Sequence, residues 1–173
     1  MDKKLITDFL IKSTIPAQKK YPKFVNEDNK RLWDAVYRAH RDVLTGRAWL
    51  PKYCNGFGSA QNNEILKFFF ELLCKHECNS SIEYIENIEL KYDVEFGAIQ
   101  KLVNMTLKYI IIYNELSEYN FPIEEDKCDC PIDSIILSKL DNKHTPWTRM
   151  EKGEYLEVQK EIKDGLVFDF INW

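Results

Sequence analysis

Apolar residues recur along the chain at intervals of three and four, and nowhere do they alternate with polar ones long enough to argue a strand. The pattern predicts helices throughout. Ile6, Phe9 and Leu10 mark a short N-terminal helix, followed by the loop TIPAQKKYPKF with its two prolines. A second helix opens near Asn29 and carries Leu32, Trp33, Val36, Tyr37, His40, Val43 and Leu44, with Gly46 as its left-handed stop. CNGFGSAQ is a turn that hands over to the strongly apolar helix EILKFFFELLCKH. Ser80 and Glu83 have capping-box spacing and open a helix through Ile82, Ile85 and Ile88. After a connection at KYDVEFG comes the longest helical pattern, from about Phe96 to Tyr113, apolar on most of its circumference and therefore central. Residues 114–130 read as an acidic loop, Pro131 as a first-turn residue of a helix IDSIILSKL, and EKGEYLEVQKEIKD as the last helix, closing at Gly165. Phe168, Phe170 and Trp173 read as packing that docks the C-terminus. The expectation is a single all-α domain over residues 1–173, without internal repeats.

Composition agrees with that picture. A chain of 173 residues that is 45% hydrophobic and 13% aromatic can bury a real core. It has no long apolar run and no leader-like start, so neither a membrane nor secretion is expected and a cytoplasmic location is. Five cysteines, an odd number in a chain too large to need staples, suit a reducing compartment. The formal charge is −4, yet residues 1–52 hold 12 basic against 6 acidic side chains, and residues 53–173 hold 12 against 22. This argues against indiscriminate nucleic-acid binding and leaves room for a local basic face.

Several chemistries have no footing. There is no phosphate loop, HExxH or Ser/His/Asp arrangement. Cys74, Cys78, Cys128 and Cys130 would make an irregular four-sulfur set, and His76 faces away from any site the first two share. His40 and His144 have no partner at a readable spacing. No metal and no cofactor is expected.

The central helix is the exception. At about 100° per residue, Gln100, Lys101, Asn104 and Lys108 fall in one narrow polar arc on an otherwise apolar cylinder. The lysines either lay their stems on apolar neighbours and reach water with their amines, or stay buried, where lysine becomes a nucleophile near neutral pH. A nucleophilic amine attacking a sugar or carbonyl carbon needs a carboxylate nearby. Asp133, between Ile132 and Ile135, is the acid in the most apolar local sequence, and it equally suits an N-cap.

GAIQKLVNMTLKY (97–109) together with CPIDSIIL (130–137) resembles the helix-hairpin-helix DNA glycosylase superfamily, in particular the 8-oxoguanine glycosylase branch and its archaeal variants. The same segments, with PWTRMEKGEYLEVQ (146–159) and the ending LVFDFINW, resemble a group of small uncharacterised bacterial and phage proteins. The resemblance implies a helix-hairpin-helix glycosylase-like fold and a base-excising DNA repair enzyme, hydrolase and lyase in one. In it Lys101 is the Schiff-base nucleophile and Asp133 the assisting acid, with Lys108, one heptad on, as the other candidate nucleophile. Gln100, Asn104, Trp33 and Trp147 would meet the substrate, with Trp49 and Phe57 as further stacking candidates. Lys19, Lys20, Lys23, Lys30, Arg31, Arg38, Arg41 and Arg47 would contact phosphates of the DNA partner. The chain departs from the pattern in keeping only Gly97 of the hairpin glycines and in placing Glu95 beside it.

Two other classes fit the same residues. The acidic stretch 115–129 suits a non-catalytic phage or mobile-element protein that occupies a host defence or nucleic-acid-processing protein. Chemistry on a free nucleoside would use the same lysine and aspartate without DNA.

Overall fold

A computed structural model describes residues 20–45, 59–116, 120–162 and 164–172. The expected N-terminal helix, the Gly46 stop and the CNGFG part of the expected turn lie outside these residues, as do Lys19, Arg47, Trp49, Cys54, Phe57 and Trp173. The described residues are all-helical: α1 (Lys30–Thr45), α2 (Ser59–Lys75), α3 (Ser81–Lys91), α4 (Phe96–Leu116), α5 (Ser134–Leu137), α6 (Lys152–Glu161) and α7 (Leu166–Asn172), with 3-10 turns at Glu27–Asn29, Glu125–Lys127 and Trp147–Arg149. None of these helices is long and apolar enough to cross a membrane.

Helix boundaries follow local chemistry. The Ser80 side chain caps α3 by accepting from Glu83 N, and the Glu83 carboxylate reaches back to Asn79 N at 2.7 Å. α2 ends at His76, which adopts a left-handed φ of 54° where glycine is usual and lays its ring on Phe121 at 4.9 Å.

α4 is the axis of the molecule. Every residue from Phe96 to Tyr113 is buried, and the helix packs chiefly on α1 and α3. Leu32, Val36, Ala39 and Val43 of α1 meet it as one fully buried stripe, the 3.6-residue pattern that predicted the element. Among the described residues, the buried apolar ones join one core cluster. Gly97 lies in the first turn of α4, where an added Cβ would fall 1.8 Å from the Trp147 carbonyl oxygen. Its role here is close approach, which lets the Trp147–Arg149 turn sit directly on the start of the helix.

The C-terminal third differs from the pattern-based expectation. Pro131 does not open a helix: it belongs to a buried, extended segment, and α5 begins only at Ser134 and lasts four residues. Ile132, β-branched and next to Pro131, favours extended backbone, and the Asp133 side chain caps the chain at Ser134, which sets the late start of the element. α6 stops at Glu161 rather than running on to Gly165. Gly165, at φ +49°, instead turns the chain into α7, a helix that the aromatic packing pattern alone did not reveal.

Candidate active site

Lys101 projects from the second turn of α4, and its Nζ lies 3.3 Å from Asp133 Oδ2. The two side chains are 11% and 16% exposed, which withdraws them from bulk water without sealing them off. Lys101 does not snorkel outward. The carboxylate of Asp133 divides its two oxygens: Oδ1 accepts the amides of Ile135 (2.8 Å) and Ile136 (3.1 Å) as the N-cap of α5, and Oδ2 faces the amine. Capping therefore fixes the rotamer that presents Oδ2 to Lys101. The ring of Trp147 lies 4.8 Å from the same Nζ, carried there by the turn that Gly97 admits.

Lys108 has the same constellation two turns further along the face. Its Nζ pairs with Asp169 Oδ2 of α7, with side chains 0% and 3% exposed, and the Phe170 ring lies 4.8 Å away. Burial raises the pKa of Asp169, opposed by the Lys108 charge. The two pairs also feel one another: Asp133 and Lys101 both act on Asp169.

On the same polar arc, Gln100 and Asn104 turn inward. Gln100 Nε2 donates to Ile132 O at 2.8 Å, and Ile132 N donates back to Gln100 Oε1 at 3.2 Å. Asn104 Nδ2 donates to Tyr155 Oη at 2.9 Å, and Tyr155 in turn donates to Asp129 Oδ2 at 2.6 Å. Burial raises the pKa of Asp129, partly offset by the Tyr155 hydrogen bond. The amides expected to meet a substrate are thus engaged with the segment that carries Asp133.

The remaining candidates are dispersed. Trp33 packs edge-on against Phe24 and Phe70 at 5.3 Å each, in a separate aromatic cluster on α1 and α2. Of the phosphate-contact candidates, Lys30 pairs with Glu27, Arg38 with Asp42, and Arg31 lies over the Tyr113 ring, while Lys20, Lys23 and Arg41 are exposed. His144 does have partners: its Nε2 lies 3.0 Å from Glu161 and its Nδ1 3.9 Å from Glu154, acids ten and seventeen residues away that no local spacing links to it. Cys74, Cys78, Cys128 and Cys130 carry free thiols. No group of three or more His, Cys, Asp or Glu side chains able to hold a metal ion occurs among the described residues.

Sequence reasoning missed Asp129, Tyr155, Gln159 and Asp169. For Asp169 a signal existed, since VFDFIN sets one acid among apolar neighbours just as CPIDSIIL does. No protein-family model, curated protein or solved structure matches the chain.

Proposed function

We propose that the protein excises a modified or oxidised base from DNA and cleaves the abasic product, with Lys101 as nucleophile and Asp133 as its proton partner. The observation that supports this most is the largely buried amine 3.3 Å from a carboxylate oxygen of a side chain that its own capping bonds hold in place. That separation exceeds the roughly 2.7–2.9 Å of a tight charge-assisted bond, so the amine is neighboured rather than locked. In this reading the Lys101 Nζ lone pair attacks C1′ while the N-glycosidic bond breaks, and the base leaves with the bonding pair and takes its proton from solvent. The ammonium formed at Nζ passes a proton to Asp133, which delivers it to O4′ as the C1′–O4′ bond breaks and the ring opens, leaving an iminium between Lys101 and C1′. Loss of a C2′ proton then expels the 3′ phosphate by β-elimination. The Trp147 face beside Nζ favours the cationic iminium. Oligonucleotides carrying a panel of oxidised, alkylated and abasic sites test the reading. Wild type should nick at least one, Lys101→Ala none, and Asp133→Asn more slowly; a panel left intact by wild type would refute it.

A second reading has its own observation. A cavity of about 470 Å³ at the start of α4 is lined by Glu89, Asp93, Glu95 and Glu151 against only Arg149 and Lys152. That face repels phosphates and suits a basic protein surface, as in a protein that occupies a partner's DNA site. Under this reading, charge reversal at Glu95 and Glu151 abolishes inhibition of a DNA-binding host enzyme, whereas Lys101→Ala leaves it intact.

A further inference from the structure

The segment that carries Asp133 has no secondary structure to hold it, yet Cys130, Pro131 and Ile132 are all buried. Buried backbone polar groups need partners, and an extended strand normally finds them in a neighbouring strand. Here glutamine side chains supply them. Gln100 of α4 pairs with both backbone groups of Ile132. Gln159 of α6 does the same at Cys130, donating from Nε2 to the carbonyl at 2.7 Å and accepting the amide on Oε1 at 3.2 Å. Each carboxamide reproduces the donor and acceptor pair of a peptide unit. Pro131, between them, has no N–H to satisfy. Asn114 treats Phe121 alike, with both bonds at 2.9 Å. The described chain between α4 and α5 is thus pinned at Phe121, Cys130 and Ile132 by primary amides.

On this basis we propose that Gln159, together with Gln100, is a positioning residue: the two carboxamides clamp residues 130–132 and so set the Asp133 carboxylate opposite Lys101. The inference rests on the base-excision reading for its consequence and on geometry alone for the clamp. It also extends the part played by α6, whose Tyr155 already bonds Asn104 and Asp129. Asp133 is one residue beyond the Ile132 clamp, so release of the segment moves its carboxylate directly. A shift of about 1 Å at a reacting group costs on the order of a hundredfold in rate.

The full-length chain carrying Gln159→Leu, Gln159→Glu or Gln100→Glu tests this, with two readouts. Amide hydrogen exchange at Ile135 and Ile136 reports the Asp133 cap without any substrate. The single-turnover rate of borohydride trapping on an abasic-site oligonucleotide, beside its Kd, reports the chemistry. In Gln159→Leu, exchange at both amides should rise about tenfold and trapping should slow by roughly 10- to 100-fold at unchanged Kd. Gln159→Glu, which keeps the acceptor for Cys130 N and loses the donor, should fall between. A merely structural glutamine would lower the melting temperature and leave the trapping rate of the folded fraction unchanged, which overturns the proposal. Unaltered exchange at Ile135 and Ile136 overturns it as well. If Gln159→Leu does not fold, the two glutamate variants decide by the same criteria. If wild type traps nothing, the base-excision reading falls, and exchange alone then decides whether the clamp sets Asp133.

Discussion

Two lysine–aspartate pairs stand on one face of α4, each beside an aromatic ring at 4.8 Å, and they differ in what surrounds them. The outer pair, Lys101 with Asp133, keeps 11% and 16% of its side chains exposed, and its acid spends one oxygen on capping α5. The inner pair, Lys108 with Asp169, is sealed at 0% and 3% and ties the C-terminal helix to the central one. Identical chemistry thus serves opposite ends. Sealing both charges makes a contact that is costly to break and difficult for any substrate to reach. Leaving one edge open makes a weaker contact and, in the proposed reading, an amine that can react. In that reading site and scaffold are separated by burial rather than by residue type.

The contrast is tested most strongly at the inner pair. Lys108→Met should destabilise the protein by roughly 4 kcal/mol, since it leaves an uncompensated buried carboxylate, and the double variant Lys108→Met/Asp169→Leu should regain most of that loss. Denaturant unfolding measures both. Gly97→Ala comes next, at about 3 kcal/mol, because the added methyl meets backbone that has little room to yield. That substitution should also loosen Trp147 from Lys101, seen as a change in the environment of its indole fluorescence.

His40 sets a pH-dependent background that must be subtracted before acid unfolding is read as loss of either pair. Burial lowers its pKa from 6.5 to about 4, so the unfolded chain takes up the proton first as pH falls. Stability should therefore decline through that window by roughly 3 kcal/mol, a slope that His40→Gln flattens. The smallest effects belong to the outer pair. Asp133→Ala should cost about 1 kcal/mol through the lost cap, and Lys101→Met less than about 1 kcal/mol. If Lys101→Met were as damaging as Lys108→Met, the distinction between the two pairs would fail.

Much of this arrangement could be read from residue pattern, and the limits have physical causes. The stripe on α1 and the apolar circumference of α4 are periodic signals repeated over four or more turns, so both helices were plain. The polar arc of Gln100, Lys101, Asn104 and Lys108 stood out for the same reason. Asp133 was legible as a cap because capping is a local interaction. The glutamine clamps were not, since Gln159 meets Cys130 across 29 residues and Gln100 meets Ile132 across 32, with no spacing rule to link them. Pro131 misled because first-turn helix positions and extended segments both accept proline, and burial against α4 decided between them. α7 was overlooked because seven residues carry too few turns for periodicity to register.

The central claim is that the open pair reacts and the sealed pair does not. Its most direct test is peptide mapping of the borohydride-reduced adduct formed between the wild-type protein and an abasic-site oligonucleotide. The account predicts the adduct mass on the peptide at Lys101, with Lys108 unmodified. An adduct at Lys108, or one that persists at another lysine in Lys101→Ala, would contradict it.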